Sequence, residues 1–122
     1  MIDNALILAY NKFIKRKEIL TMKIISSQRY IDYKLVEAKI EEIKDYDYIT
    51  LPIIDAGMQD LDGNDLFILT DGHHRKEAAN ELGIEIRYEE VPNDHNLTGE
   101  ELLNECYGDS DWYYIENGNL VW

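Results

Sequence analysis

Residues 68–84 read ILTDGHHRKEAANELGI, and this stretch joins three local signals. The apolar run LFILT at 66–70 suits a buried strand, and Asp71-Gly72 is a turn pair. Ala78, Ala79 and Leu82 then recur at helical spacing as far as Gly83, which can end a helix in a left-handed conformation. A strand, a glycine turn and a helix start, in that order, make a local anion site. The first helical N–H groups have no intrahelical acceptor, and the helix dipole adds roughly half a positive charge there. His73 or His74 can donate to a phosphate oxygen, Arg75 can contact it bidentately, and Gly72 lets the backbone come close. Asp71 opposes a phosphate unless it orients a donor, accepts a proton or holds a Mg²⁺ that bridges to it. A purely structural reading stands beside this one, with Asp71 capping the helix and the adjacent histidines pointing apart. Zinc is disfavoured, because neighbouring histidines rarely serve one metal and Asp71 is the only third ligand at hand.

Working outward, KIIS at 23–26 is short and β-branched, as a buried strand is. Val36, Ile40 and Ile43 return to helical spacing, with Glu37, Lys39, Glu41, Glu42 and Lys44 on the wet face. YITLPII at 48–54 is another strand, joined to LFILT by residues 55–65, DAGMQDLDGND, whose Asp62-Gly63 pair signals a turn. Downstream, IEIRYEEV at 84–91 alternates like a strand with one buried face, and Pro92 ends it. Thr98 caps a short helix over TGEELLNECYG, closed by Gly108. Asn117-Gly118 between apolar runs predicts a two-residue hairpin turn whose tryptophans and tyrosines pack on the core in preference to forming a base-stacking platform. Residues 1–21 carry Ile2, Leu6, Ala9, Phe13 and Lys17 at helical spacing, with Asp3 as a possible cap. The series helix, strand, helix, strand, strand, helix, strand, helix, hairpin predicts an α+β fold with a small mixed sheet. Its parts are an N-terminal amphipathic helix over 1–21, a core over 22–92, and a C-terminal helix with an aromatic hairpin over 93–122.

A length of 122 residues, 45% hydrophobic, fits one compact domain. The net charge of −13 opposes general affinity for nucleic acid or anionic lipid, so any phosphate must be captured locally. One cysteine, Cys106, leaves no internal disulfide and no cysteine-based zinc site, and fits a reducing compartment, with the cytoplasm expected. The apolar stretch near Met1 is too short for an export signal, and no run approaches the roughly 18 residues of a membrane span.

ILTDGHHRKEAANELGI resembles the signature segment of the ParB/sulfiredoxin superfamily, where a strand leads into a G-x-x-R turn and an alanine-rich helix ending in Leu-Gly. The likeness runs upstream through MKIISSQRY, the helix around 36–43 and ITLPIID, and covers roughly residues 22–91. It implies a nucleotide, ATP, ADP or CTP with Mg²⁺, whose phosphates lie in a cradle of Gly72, His73, His74 and Arg75. Gln28 and Arg29, following the first strand, are placed to reach it. Asp71 matches the acid before the glycine in kinase-like members and is the candidate Mg²⁺ ligand. Asp71 and His73 are candidate catalytic groups, with Glu37, or else Glu41, as the upstream glutamate base those members use. His73 stands where sulfiredoxins carry their cysteine, and Cys106 does not match that motif, so sulfinic-acid reduction is not expected. No helix-turn-helix or dimerisation tail follows the core, so direct DNA binding is not expected either. Two readings remain: a nucleotide-binding protein that hydrolyses or transfers phosphate, or a non-catalytic acidic interaction protein of phage or plasmid origin that engages a basic, nucleic-acid-binding partner.

Overall fold

The structure, a computed structural model, describes residues 22–122. The helix expected over 1–21 lies outside the described residues. Eight elements follow one another: β1 (Met22–Ser26), α1 (Tyr33–Ile43), β2 (Tyr48–Gln59), β3 (Asp65–Leu69), α2 (His73–Leu82), β4 (Glu85–Glu90), α3 (Gly99–Glu105) and β5 (Tyr113–Tyr114). The strands form one five-stranded sheet in the order β4-β2-β3-β1-β5. Central β1 and β3 are parallel, β2 is antiparallel to β3 and parallel to β4, and β5 is antiparallel to β1. The domain is thus α+β with a mixed sheet.

The two-residue period of the strands splits the apolar residues between two faces. Ile49, Leu51 and Ile53 of β2, with Phe67 and Leu69 of β3, meet Val36, Ile43, Ala78 and Ala79 from α1 and α2. Ile25, Ile54, Ala56, Leu66 and Ile68 point the other way and meet Leu102, Leu103 and Val121. Each fully buried leucine or isoleucine contributes roughly 1.5–3 kcal/mol of transfer free energy, so both faces are needed to hold a chain this short. Ala78 and Ala79 are fully buried, and their small side chains let α2 come close to the sheet.

Three local expectations are corrected. The segment 55–59 is strand, not connection: Ala56 continues the inward alternation of Ile54, and only residues 60–64, with the expected Asp62-Gly63 turn, reverse the chain. There Asp60, 7% exposed, accepts hydrogen bonds from the Asp62 and Asn64 N–H groups, the Asn64 amide and the Tyr114 hydroxyl. Second, the helix after Thr98 ends at Glu105, and the Thr98 hydroxyl makes no cap bond. The Thr98 side chain packs on Gly57, where an added Cβ would come within 2.9 Å of it. Gly108 does not close the helix; it lies against Ser27, whose hydroxyl accepts its N–H at 2.7 Å.

The third correction is the hairpin. Tyr114 N–H donates to Asn119 O and Tyr113 bridges Leu120, so four residues, not two, make the turn. A two-residue type I′ turn needs positive φ at both central positions, and here Gly118 alone has it. The competing interaction is visible: Ile115 N–H donates to Ile24 O, drawing the would-be strand onto β1. Trp112 and Tyr114 pack against the second core, whereas Trp122 is half exposed.

Pro52 sits inside β2 although both edges of that strand are paired. Its carbonyl accepts from Thr70 N–H, which lies just past the end of β3. The missing proline N–H faces the same side, so the proline forgoes its bond at the end of the β2–β3 ladder.

Candidate functional site

β1 and β3 are parallel neighbours in a register that pairs Ile25 with Ile68, so their carboxyl ends emerge side by side. Ser26, Ser27 and Gln28 therefore lie against Thr70, Asp71, Gly72 and His73. The crevice beyond the carboxyl ends of parallel strands is where open sheets with helical crossovers take ligands.

Gly72 makes the turn into α2. Its φ is +89°, and a Cβ built there would stand 2.6 Å from Leu51 Cδ2. Glycine is required here by the fold itself, whatever approaches from solvent. Gly72 is also the N-cap of α2, so the helix begins with no side-chain cap, and its first helical bond runs from Lys76 N–H to Gly72 O. The N–H groups of His73, His74 and Arg75 precede that bond. Asp71 does not cap the helix: its carboxylate accepts the Gly72 N–H at 2.8 Å and is otherwise exposed.

A cleft of about 420 Å³ opens in front of this helix start, lined by Gln28, Lys39, Thr70, Asp71, Gly72, His73, His74 and Arg75. Lys39 is the residue the sequence missed; it lines the cleft because α1 packs against α2, and its ammonium pairs with Glu42 at 3.2 Å. Arg75 has no hydrogen-bond or ion-pair partner among the described residues, and its Nε is sealed from solvent. The two histidines do diverge. His74 Nε2 accepts the Asp32 N–H at 3.1 Å, tying the start of α1 to the start of α2 and leaving only Nδ1 for a ligand. His73 turns toward β1, with Nε2 2.6 Å from Ser26 Oγ. Burial, then Lys76, hold its pKa below the ordinary 6.5, against the carboxylates of Asp71 and Asp109.

The other candidates are placed less centrally. Gln28 lines the cleft, while its carbonyl accepts the Tyr113 hydroxyl. Arg29 is committed to structure: its guanidinium donates to Gly118 O at 2.8 Å and lies 4.0 Å from the Tyr113 ring centroid. Glu37 and Glu41 are exposed on α1 and do not line this cleft, and Glu41 pairs with Lys44. Cys106, remote in sequence, lines a smaller cleft of about 210 Å³ that shares Gln28, Thr70 and His73 with the first. Burial and Glu105 raise its pKa, which favours the unreactive thiol.

Among the described residues no group of three or more histidine, cysteine or acidic side chains is arranged to hold a metal. No helix among them is long and apolar enough to cross a membrane. Compared with known proteins, the chain matches no family model, no curated protein and no solved structure.

Proposed function

We propose that this is a small ParB/sulfiredoxin-like nucleotide-binding protein that seats the phosphates of ATP, ADP or CTP against the start of α2 and hydrolyses or transfers phosphate. The observation that carries the reading is Arg75: a guanidinium with no anionic partner among the described residues, in a molecule of net charge −13, beside uncapped helical N–H groups. The rest of the guanidinium borders the cleft, where a bound oxyanion would give it a charge-assisted partner. Lys39 also lines the cleft, with its ammonium shared with Glu42. Among the described residues Asp71 is the one carboxylate on the cleft, which suits Mg²⁺ arriving with the nucleotide, since that ion uses one or two protein carboxylates together with phosphate oxygens. Positioning and charge neutralisation by these groups are what phosphoryl transfer requires.

The test is calorimetric titration of ATP, ADP and CTP, with and without Mg²⁺, into the native chain and Arg75→Ala, followed by phosphate release. The variant is expected to lose roughly ten- to hundredfold in affinity. Its unfolding free energy should stay within about 1 kcal/mol of the native value, because Arg75 gives up no partner among the described residues. Neither heat nor thermal shift with any nucleotide would remove the reading. A second reading rests on the excess of 25 acidic over 12 basic residues: an acidic surface that engages a basic protein. Salt-sensitive capture of such a partner, unaffected by Arg75→Ala, would favour it.

A further inference from the structure

The contact between Ser26 and His73 joins β1 to the first residue of α2, and its hydrogens can be assigned from the surroundings. Ser26 is 1% exposed. Its Oγ already accepts the Gln28 N–H at 3.0 Å. Were it also to accept a proton from His73 Nε2, its own hydroxyl proton would be buried without an acceptor, an arrangement that costs about 1–3 kcal/mol. The favoured direction is therefore Gln28 N–H to Ser26 Oγ, and Ser26 O–H to His73 Nε2. A neutral imidazole carries one proton, so that proton must sit on Nδ1. Nδ1 has no protein partner among the described residues, and His73 borders three clefts where a ligand could meet it.

We propose that Ser26 is a positioning residue: with the Gln28 backbone amide it locks His73 as the neutral Nδ1–H tautomer, presenting an N–H donor to an oxyanion seated at the start of α2. The opposite tautomer would turn a bare nitrogen lone pair toward the anion. Ser26 is too enclosed, at 1% exposure, for the same geometry to serve a nucleophilic hydroxyl. The anion-binding part of the proposal rests on the reading of the site given above, whereas the tautomer assignment does not.

The test is nitrogen-detected NMR of ¹⁵N-labelled histidine in the native chain, Ser26→Ala and Ser26→Thr, alongside titration of inorganic pyrophosphate. The native spectrum should show His73 Nδ1 protonated and Nε2 bare. Ser26→Ala should populate the Nε2–H form or the imidazolium and weaken pyrophosphate roughly tenfold. Ser26→Thr, which keeps the hydroxyl, should restore both. Protonated Nε2 in the neutral native ring would overturn the proposal, and needs no variant to fold. So would a Ser26→Ala protein with unchanged tautomer and unchanged affinity. If the native chain binds no pyrophosphate, the oxyanion contact is lost along with the site reading, and the spectrum still decides what Ser26 does to His73.

Discussion

Gly72 carries two constraints that act on one atom. A side chain there must adopt φ of +89° and share space with Leu51, a fully packed core residue. Gly72→Ala should destabilise the fold by about 3 kcal/mol, the sum of left-handed strain and overpacking. Urea denaturation measures it, and a loss under about 1 kcal/mol would show that Leu51 can move aside. The glycine was legible in the sequence as a turn, and its close approach was read as room for a phosphate. The structure gives that room to Leu51 instead. Which atom crowds a glycine depends on a strand about twenty residues away, and local pattern has no access to it. The two histidines teach the same point: adjacency placed both at the site, but side-chain directions around a helix send one to Asp32 and the other to Ser26.

At the scale of elements, the β2–β3 turn and β5 are held as one piece by Asp60 and Tyr114, whose hydroxyl donates at 2.6 Å. Burial opposes the Asp60 charge, but hydrogen bonds from Tyr114, Asn64 and Asp62 outweigh it and pull the pKa down to about 2. Burial, then the bond to Asp60, push Tyr114 up to about 12. The signs follow from linkage. Asp60 contributes fully above its ordinary 3.8, and that contribution is lost as pH falls through about 2. Tyr114 contributes fully below its ordinary 10.0, and that contribution is lost as pH rises through about 12. Tyr114→Phe should cost about 1–2 kcal/mol at neutral pH and shift acid unfolding to higher pH. Circular dichroism across an acid titration checks this, and superimposable curves would refute it. Nothing in the sequence marked Asp60 as different from the other acids nearby, since its partner is 54 residues away.

The whole molecule is dominated by its charge. The ion pairs of the described residues, Lys23–Glu116, Lys39–Glu42, Lys44–Glu41 and Arg87–Glu85, are open to solvent and contribute little. Self-repulsion from a net −13 therefore outweighs them. Raising salt from about 0.02 M to about 0.5 M should stabilise the fold by roughly 1 kcal/mol, since screening acts on the repulsion over longer range than on the contacts. Urea midpoints at the two ionic strengths test it, and destabilisation by salt would mean that local pairs prevail.

The sequence by itself determined which segments are strands and helices in the core, because apolar period two and period 3.6 are written in neighbouring residues. It also placed a helix start within a residue or two of Gly72, since a glycine turn after an apolar run leaves few alternatives. Only the tertiary structure decided that β1 lies beside β3, that Lys39 joins the cleft, that Arg29 is spent on the C-terminal turn, and that Ser26 meets His73. Those facts are set by strand order and register, which are fixed by how two apolar faces bury together and not by any residue's neighbours in the chain.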